Sequence, residues 1–130
     1  MTLKEIKNNI KKNIINNIKL KNINPNDHLY LGVDMGMIFL DYIKNPEIIS
    51  LINKNKIDLT KYLLKILKEY ISKKGSLICP TFSYSTIKTK SFDLKKTKTD
   101  LDIFSQVFLN DKNSLRSDHS IHSIAAIGHF

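Results

Sequence analysis

Tryptophan is absent from the 130 residues, cysteine and arginine occur once each, and there are only three prolines and four glycines. Each scarcity removes a class of protein. Cys79 alone cannot close an intramolecular disulfide or build a paired-cysteine zinc site, so disulfide scaffolds and zinc ribbons are excluded. No apolar run approaches the roughly 18 to 20 residues that a membrane span needs, and no charged-then-apolar leader opens the chain. A cytoplasmic protein with no membrane partner is expected. The length suits a single domain over 1–130 rather than two catalytic modules, since chains usually divide only beyond about 200 to 250 residues.

What is present is enough apolar side chain for one core, 42% of residues, at a mean hydropathy of −0.22. The net charge of +9 is unevenly placed: residues 1–24 hold six lysines against Glu5, and residues 88–98 hold five lysines against Asp93. A basic surface of this size raises a nucleic-acid reading. Against it, only Arg116 among the 21 basic residues has the bidentate fork on which direct base readout relies. Abundant Asn and Ile beside Lys is also the pattern that AT-rich codon usage produces.

Thr2 followed by Glu5 forms a capping box, and Leu3, Ile6, Ile10, Ile14 and Ile18 recur every three or four residues, which predicts an amphipathic helix over about 3–20. Asn24-Pro25-Asn26-Asp27 is turn chemistry that ends it. Residues 28–33 read as a short buried strand with Asp34 to Gly36 at its C-terminal end, where α/β folds keep their sites. Leu59, Leu63, Ile66, Leu67 and Tyr70 predict a helix over about 59–73, with Gly75 as its C-terminal cap and a strand over 76–79 halted by Pro80. A long polar loop is expected over 84–100, a short helix around Ile103, Val107 and Phe108, a turn at 111–114, and a strand over 123–127. Together these give an α/β fold, a layered sheet flanked by helices.

Among residues that could carry chemistry, Cys79 lies inside a strand and reads as a small buried apolar residue. The run 116–123 contains Ser, His and Asp, but read as extended its neighbours alternate between faces and cannot form a relay. His119 and His122 with Asp118 lack a third distant metal ligand, and side-chain-to-backbone bonding in a tight loop is the default reading of this run. Thr81 and Ser83 follow a strand directly. Their hydroxyls either face a ligand at the sheet edge or satisfy turn backbone groups.

The order of these pieces resembles the aminoglycoside 3-N-acetyltransferase family. The residues that carry the resemblance are Gly75-Ser-Leu-Ile-Cys-Pro80-Thr81-Phe82-Ser83, then Phe92-Asp93 with Thr97, then Ser105 and Phe108, then Arg116-Ser117-x-His119 and His122-Ser123-x-Ala125-Ala126-x-Gly128. The resemblance implies transfer of an acetyl group from acetyl-CoA to an amine of an aminoglycoside or related amino sugar. It also implies an acetyltransferase-like fold that needs no metal. By matched position, Thr81, Ser83, Ser117 and His119 would line the coenzyme side of a cleft, while His122 and Ser123 would hold the loop near the pantetheine arm. Asp34 falls where the family's first strand ends in coenzyme-contacting hydroxyls.

Departures accompany the match. The family's V-H-S-S or V-H-S-D run is Leu31-Gly32-Val33-Asp34 here, and family Pro, Gly and Glu positions read Lys98, Asp102 and Gln106. The family's general-base histidine lies in a T-x-x-H-x-A-E block beyond the last matched strand. Residues 1–130 are therefore expected to be the N-terminal part of such a domain, with no catalytic base of their own and little or no activity, and the partner expected besides the amino sugar is either another copy of the chain or a missing C-terminal half. Alternatives are an acyltransferase-derived fragment for surface-polysaccharide amino sugars and a small basic nucleic-acid-binding module.

Overall fold

The Thr2 amide donates to Glu5 Oε2 at 2.6 Å and the Glu5 amide donates to Thr2 Oγ1 at 3.3 Å, closing the capping box that starts helix α1, Leu3–Leu20. The bonds from the Thr2 amide and hydroxyl hold the Glu5 carboxyl below its usual range. A computed structural model describes residues 2–46, 48–49 and 56–129 of the chain. In it α1 buries Ile6 and Ile10 and half-buries Ile14 and Ile18, as the periodicity requires. Its partner is α3, Lys56–Tyr70, where Lys11 pairs with Glu69 at 2.6 Å and the Tyr62 hydroxyl donates to the Lys7 carbonyl.

Strand β1 is shorter than the sequence suggests, His28–Tyr30 rather than 28–33. The chain leaves the sheet after the Leu31 amide donates to the Ile78 carbonyl at 2.7 Å. Asp34 then caps a helix, α2, Met35–Ile43, by accepting from the Met37 amide at 3.1 Å. The sequence reading stopped at Gly36 and missed this helix. Its signal was nonetheless present, with Met35 and Phe39 buried and Ile38 and Tyr42 beside them at helical spacing.

The remaining elements are β2, Ser76–Pro80; a four-residue helix α4, Thr86–Thr89; α5, Ile103–Leu109; β3, Leu115–Arg116; and β4, Ile124–Gly128. They form one four-stranded sheet in the order β1-β2-β4-β3, with β1 parallel to β2 and the other pairs antiparallel. The parallel pair needs a crossover, which the α2–α3 segment supplies. Leu77, Cys79, Ala125 and Ile127 face the helices and join Ile66, Phe104 and Phe108 in the core. On the other face Tyr30, Ile78, Ala126 and Leu115 form a row across all four strands, and Tyr30 and Leu115 at its ends are exposed.

Helix α3 ends at Tyr70, so Gly75 does not cap it, and Gly128 is the only described glycine with positive φ. Gly75 instead permits close approach. A Cβ there would lie 2.5 Å from the Pro25 carbonyl oxygen and 2.7 Å from that of Asp27, in the turn whose carbonyls accept from the Ser72 and Ser76 amides. A Cβ on Gly128, at φ +114°, would meet the Gly75 carbonyl at 2.6 Å. Gly75→Ala and Gly128→Ala are each expected to cost about 2 kcal/mol or more, because backbone must move. Gly32→Ala, with nothing within 4 Å of the added carbon, should stay within about 0.5 kcal/mol of the parent. Urea midpoints for the three variants check this, and equal midpoints would contradict the packing role.

Candidate functional site

The β2–β4 ladder does not stop where the strands formally end. The Thr81 amide donates to the Ser123 carbonyl at 2.9 Å and the Ser83 amide to the Ile121 carbonyl at 2.7 Å, in the register of the Pro80–Ile124 pair. Side chains therefore keep alternating between faces. Thr81, Ser83 and Ser123 fall on the helix-facing side and are buried, while Phe82 and His122 oppose each other on the other side.

On the buried side, the Ser123 hydroxyl donates to the Thr81 carbonyl at 2.8 Å, and Thr81 Oγ1 lies 3.2 Å from the Ser123 carbonyl and 3.1 Å from its hydroxyl. The Ser83 hydroxyl donates to the Lys98 carbonyl at 2.8 Å. These hydroxyls are thus committed to backbone and to one another, as in the turn-satisfying reading. Arg116 joins them. Its register partner is Ala125, so its side chain rises on the same face. Nε donates to Ser123 Oγ at 2.9 Å, and Nη2 donates to the Thr81 carbonyl at 3.0 Å and to Ser83 Oγ at 2.6 Å. Nη1 donates to the Thr97 carbonyl, and the guanidinium carbon sits 4.9 Å from the centre of the Phe92 ring.

Among the described residues no carboxylate pairs with Arg116. Burial lowers its pKa, yet an arginine stays protonated at any accessible pH. Its charge is met by carbonyl and hydroxyl dipoles and by the ring face of Phe92.

The exposed side is aromatic. The Phe82 and His122 ring centres are 5.0 Å apart at 82°, and Tyr84 and His122 are 5.8 Å apart at 81°. His119 lies 5.6 Å from His122, and its Nδ1 accepts from the His122 amide at 2.8 Å and the Ile121 amide at 3.2 Å. Two amides on Nδ1 put the ring proton on Nε2. Ser117 closes the β3–β4 turn: its amide donates to the Ile124 carbonyl at 2.8 Å and its hydroxyl accepts from the Ile124 amide at 2.9 Å.

After Arg116 the segment is a tight turn held by side-chain-to-backbone bonds, the default reading of its sequence. The relay is still not assembled, because Ser117 Oγ and His119 Nδ1 are both occupied by backbone amides. No third His, Cys, Asp or Glu among the described residues joins the two histidines around a metal.

The structure thus brings Thr81, Ser83 and Ser123 together on one side and His119 and His122 on the other, with Ser117 at the root of the turn. Asp34 stands apart at the start of α2, and no described bond links it to the others. Sequence reasoning missed the roles of Arg116, Phe92 and Thr86. The Thr86 hydroxyl donates to the Ser83 and Ser120 carbonyls at 2.7 Å each, tying α4 to the turn. The signals for Arg116 were its place at the head of the matched Arg116-Ser117-x-His119 block and its being the one arginine in a chain that otherwise uses lysine. The expected loop over 84–100 holds α4 and an Asp93 turn, in which Asp93 Oδ1 accepts from the Lys95 and Lys96 amides and the Asp93 amide donates to Thr97 Oγ1. A groove of about 350 Å³ beside it is lined by Thr86, Ile87, Lys90, Phe92 and Ile121.

A family model described as aminoglycoside 3-N-acetyltransferase matches residues 55–130. Among solved structures, the YokD protein from Bacillus subtilis is similar at 16% identity and a TM-score of 0.46, over 53% of this chain and 36% of that one. The chain spans little more than a third of that protein's length. No curated protein matches the chain.

Cys79, fully buried in β2, lies on the helix-facing side but its sulfur contacts Ser105 rather than the Thr81, Ser83 and Ser123 hydroxyls. Desolvation pushes its thiol up to about 11, with the Ser105 hydroxyl at 3.5 Å acting weakly the other way and the Asp102 charge adding to the rise. The native thiol should react with a disulfide reagent at pH 8 at least about a hundredfold more slowly than an unstructured cysteine, because both thiolate fraction and access are lost. Denaturant should expose it in step with unfolding. Rapid stoichiometric labelling of the native chain would show that the strand opens on its own.

Proposed function

Since the chain belongs to the aminoglycoside 3-N-acetyltransferase family, we propose that its residues 75–128 form the coenzyme-facing wall of an N-acetyltransferase for an amino sugar. Acetyl-CoA would supply the acetyl thioester as cosubstrate. The observation that carries this reading is the turn 117–123, which presents His119 and His122 from a base of internally bonded hydroxyls, on the matched stretch of the chain.

The chemistry sets two demands. A thioester carbonyl gains negative charge at oxygen as an amine attacks, so hydrogen-bond donors must face it, and the amine must give up a proton. The Nε2–H of His119 and the edge of His122 are donors of the first kind. Thr81, Ser83 and Ser123 stand behind them as the inner layer of the wall. The 88–98 segment, five lysines against Asp93, flanks the same region and would attract an anionic coenzyme over a range set by ionic strength. Asp34, an exposed carboxylate at the far end of β1, suits the cationic acceptor better than the coenzyme. Gly32 and Val33 replace the family's His and Ser beside it, and this favours an acceptor other than the usual aminoglycosides, such as a polysaccharide amino sugar.

No proton acceptor is assigned within 1–130, because the T-x-x-H-x-A-E block has no counterpart among these residues. By the order of its matched blocks, the stretch 1–130 is read as the N-terminal part of one domain, working in the cytoplasm. A basic nucleic-acid-binding role gains nothing from the fold. The lysines of α1 are spread round an ordinary solvent face and one of them, Lys11, is spent on Glu69.

Titrating the chain with coenzyme A while following the imidazole signals of His119 and His122 by NMR tests the reading. Both should shift, binding should weaken as salt rises, and His119→Ala should cost about two- to tenfold in affinity, the worth of one hydrogen bond. Coenzyme A that leaves both imidazoles unmoved refutes the wall. Acetyl transfer to a panel of aminoglycosides is expected to be absent; turnover would place a base within residues 1–130.

A further inference from the structure

We infer that Arg116 is a positioning residue for this site: its guanidinium locks the turn bearing His119 and His122 onto the segment that follows β2, without itself meeting the coenzyme. The inference rests on the coenzyme-wall reading for its function but not for its geometry. β3 is two residues long, so ladder bonds alone give the turn little anchorage. Arg116 supplies it by donating into three separate segments, at Thr81 and Ser83, at Ser123, and at Thr97, and by stacking on Phe92. The same residue therefore fixes the distance between the 81–83 strand extension, the 92–98 loop and the root of the turn.

The choice of side chain supports positioning over mere packing. Removing a guanidinium from water with no carboxylate partner is costly, and apolar side chains would fill such a space at less cost. What apolar filling cannot do is specify four directions at once. Lysine fails as well, because its single ammonium has no planar fork and no face to lay against Phe92. The hydroxyls of Ser83 and Ser123 are half of the guanidinium's receptor, so their effect on the wall passes through Arg116.

The test uses Arg116→Ala and Arg116→Lys in the full chain, with and without tens of millimolar guanidinium. His122 protons are displaced by the Phe82 and Tyr84 rings, so their NMR shifts report the turn. In Arg116→Ala that displacement should vanish while the buried methyls of Leu77 and Ile127 keep their shifts, and coenzyme A affinity should fall about tenfold. Added guanidinium should restore both, and Arg116→Lys should not. If Arg116→Ala fails to fold, Ser123→Ala removes the Nε acceptor together with the hydroxyl's bond to the Thr81 carbonyl and should give the same change at smaller amplitude. Unchanged His122 shifts in every variant that folds overturn the inference, as does coenzyme affinity equal in parent and variants. Loss of the His122 displacement in a chain that never binds coenzyme A would instead leave the positioning intact and remove the proposed function.

Discussion

Five residue pairs from Ser76–Gly128 to Pro80–Ile124 set a register, and two further backbone bonds carry it past the strand ends into the loops. Because side chains alternate along such a ladder, this register decides which of the matched residues can act together. Thr81, Ser83 and Ser123 must share the buried side; Phe82 and His122 must share the other. Shifting β4 by one residue against β2 would bury the His122 imidazole and expose the Ser123 hydroxyl, and it would also turn Ala125 and Ile127 away from the helices. The core and the site are therefore held by the same constraint. Gly75 and Gly128 serve it, since their lack of a side chain lets the 25–27 turn and the end of β4 close on the start of β2.

Much of this frame is legible in the sequence, and the reasons differ by element. Helices α1 and α3 announce themselves through apolar residues every three or four positions, and β2 and β4 through apolar runs between turn residues. Helix α2 was missed although Met35, Ile38, Phe39 and Tyr42 are correctly spaced, because Asp34 can end a strand or cap a helix and only the burial of Met35 and Phe39 decides between them. β1 stops early for the same reason, as the capping of α2 competes with the sheet for residues 31–34. β3, with two residues, is too short to have a period at all.

The candidate site was half legible. Its residue types and order were apparent, and period two would have split Thr81 from Phe82 once β4 was recognised as the partner of β2. The role of Arg116 was not, since two of its acceptors are the carbonyls of Thr81 and Thr97, and a backbone carbonyl leaves no mark in a sequence. The turn itself was legible as a tight loop of side-chain-to-backbone bonds, but which amides Ser117 and His119 would take was not, since any main-chain amide could offer itself.

The contrast between the basic residues carries the argument further. Lys68, half-buried beside α5, reaches Asp111 at 2.9 Å and Asn113 at 2.9 Å, a compact ammonium beside a carboxylate. Lys11 likewise meets Glu69. Arg116 has no such partner among the described residues and is surrounded instead by carbonyls, hydroxyls and a ring. A dipole repays only part of the hydration that a full charge loses, so this arrangement gains less stability than an ion pair of the same burial. It gains direction: four donors in one plane meet acceptors from three segments, and none of the three can shift without breaking a bond to the same group. Lysine suffices where this chain needs only charge. At the one place where three loops must meet at a fixed distance, the sequence has its single arginine.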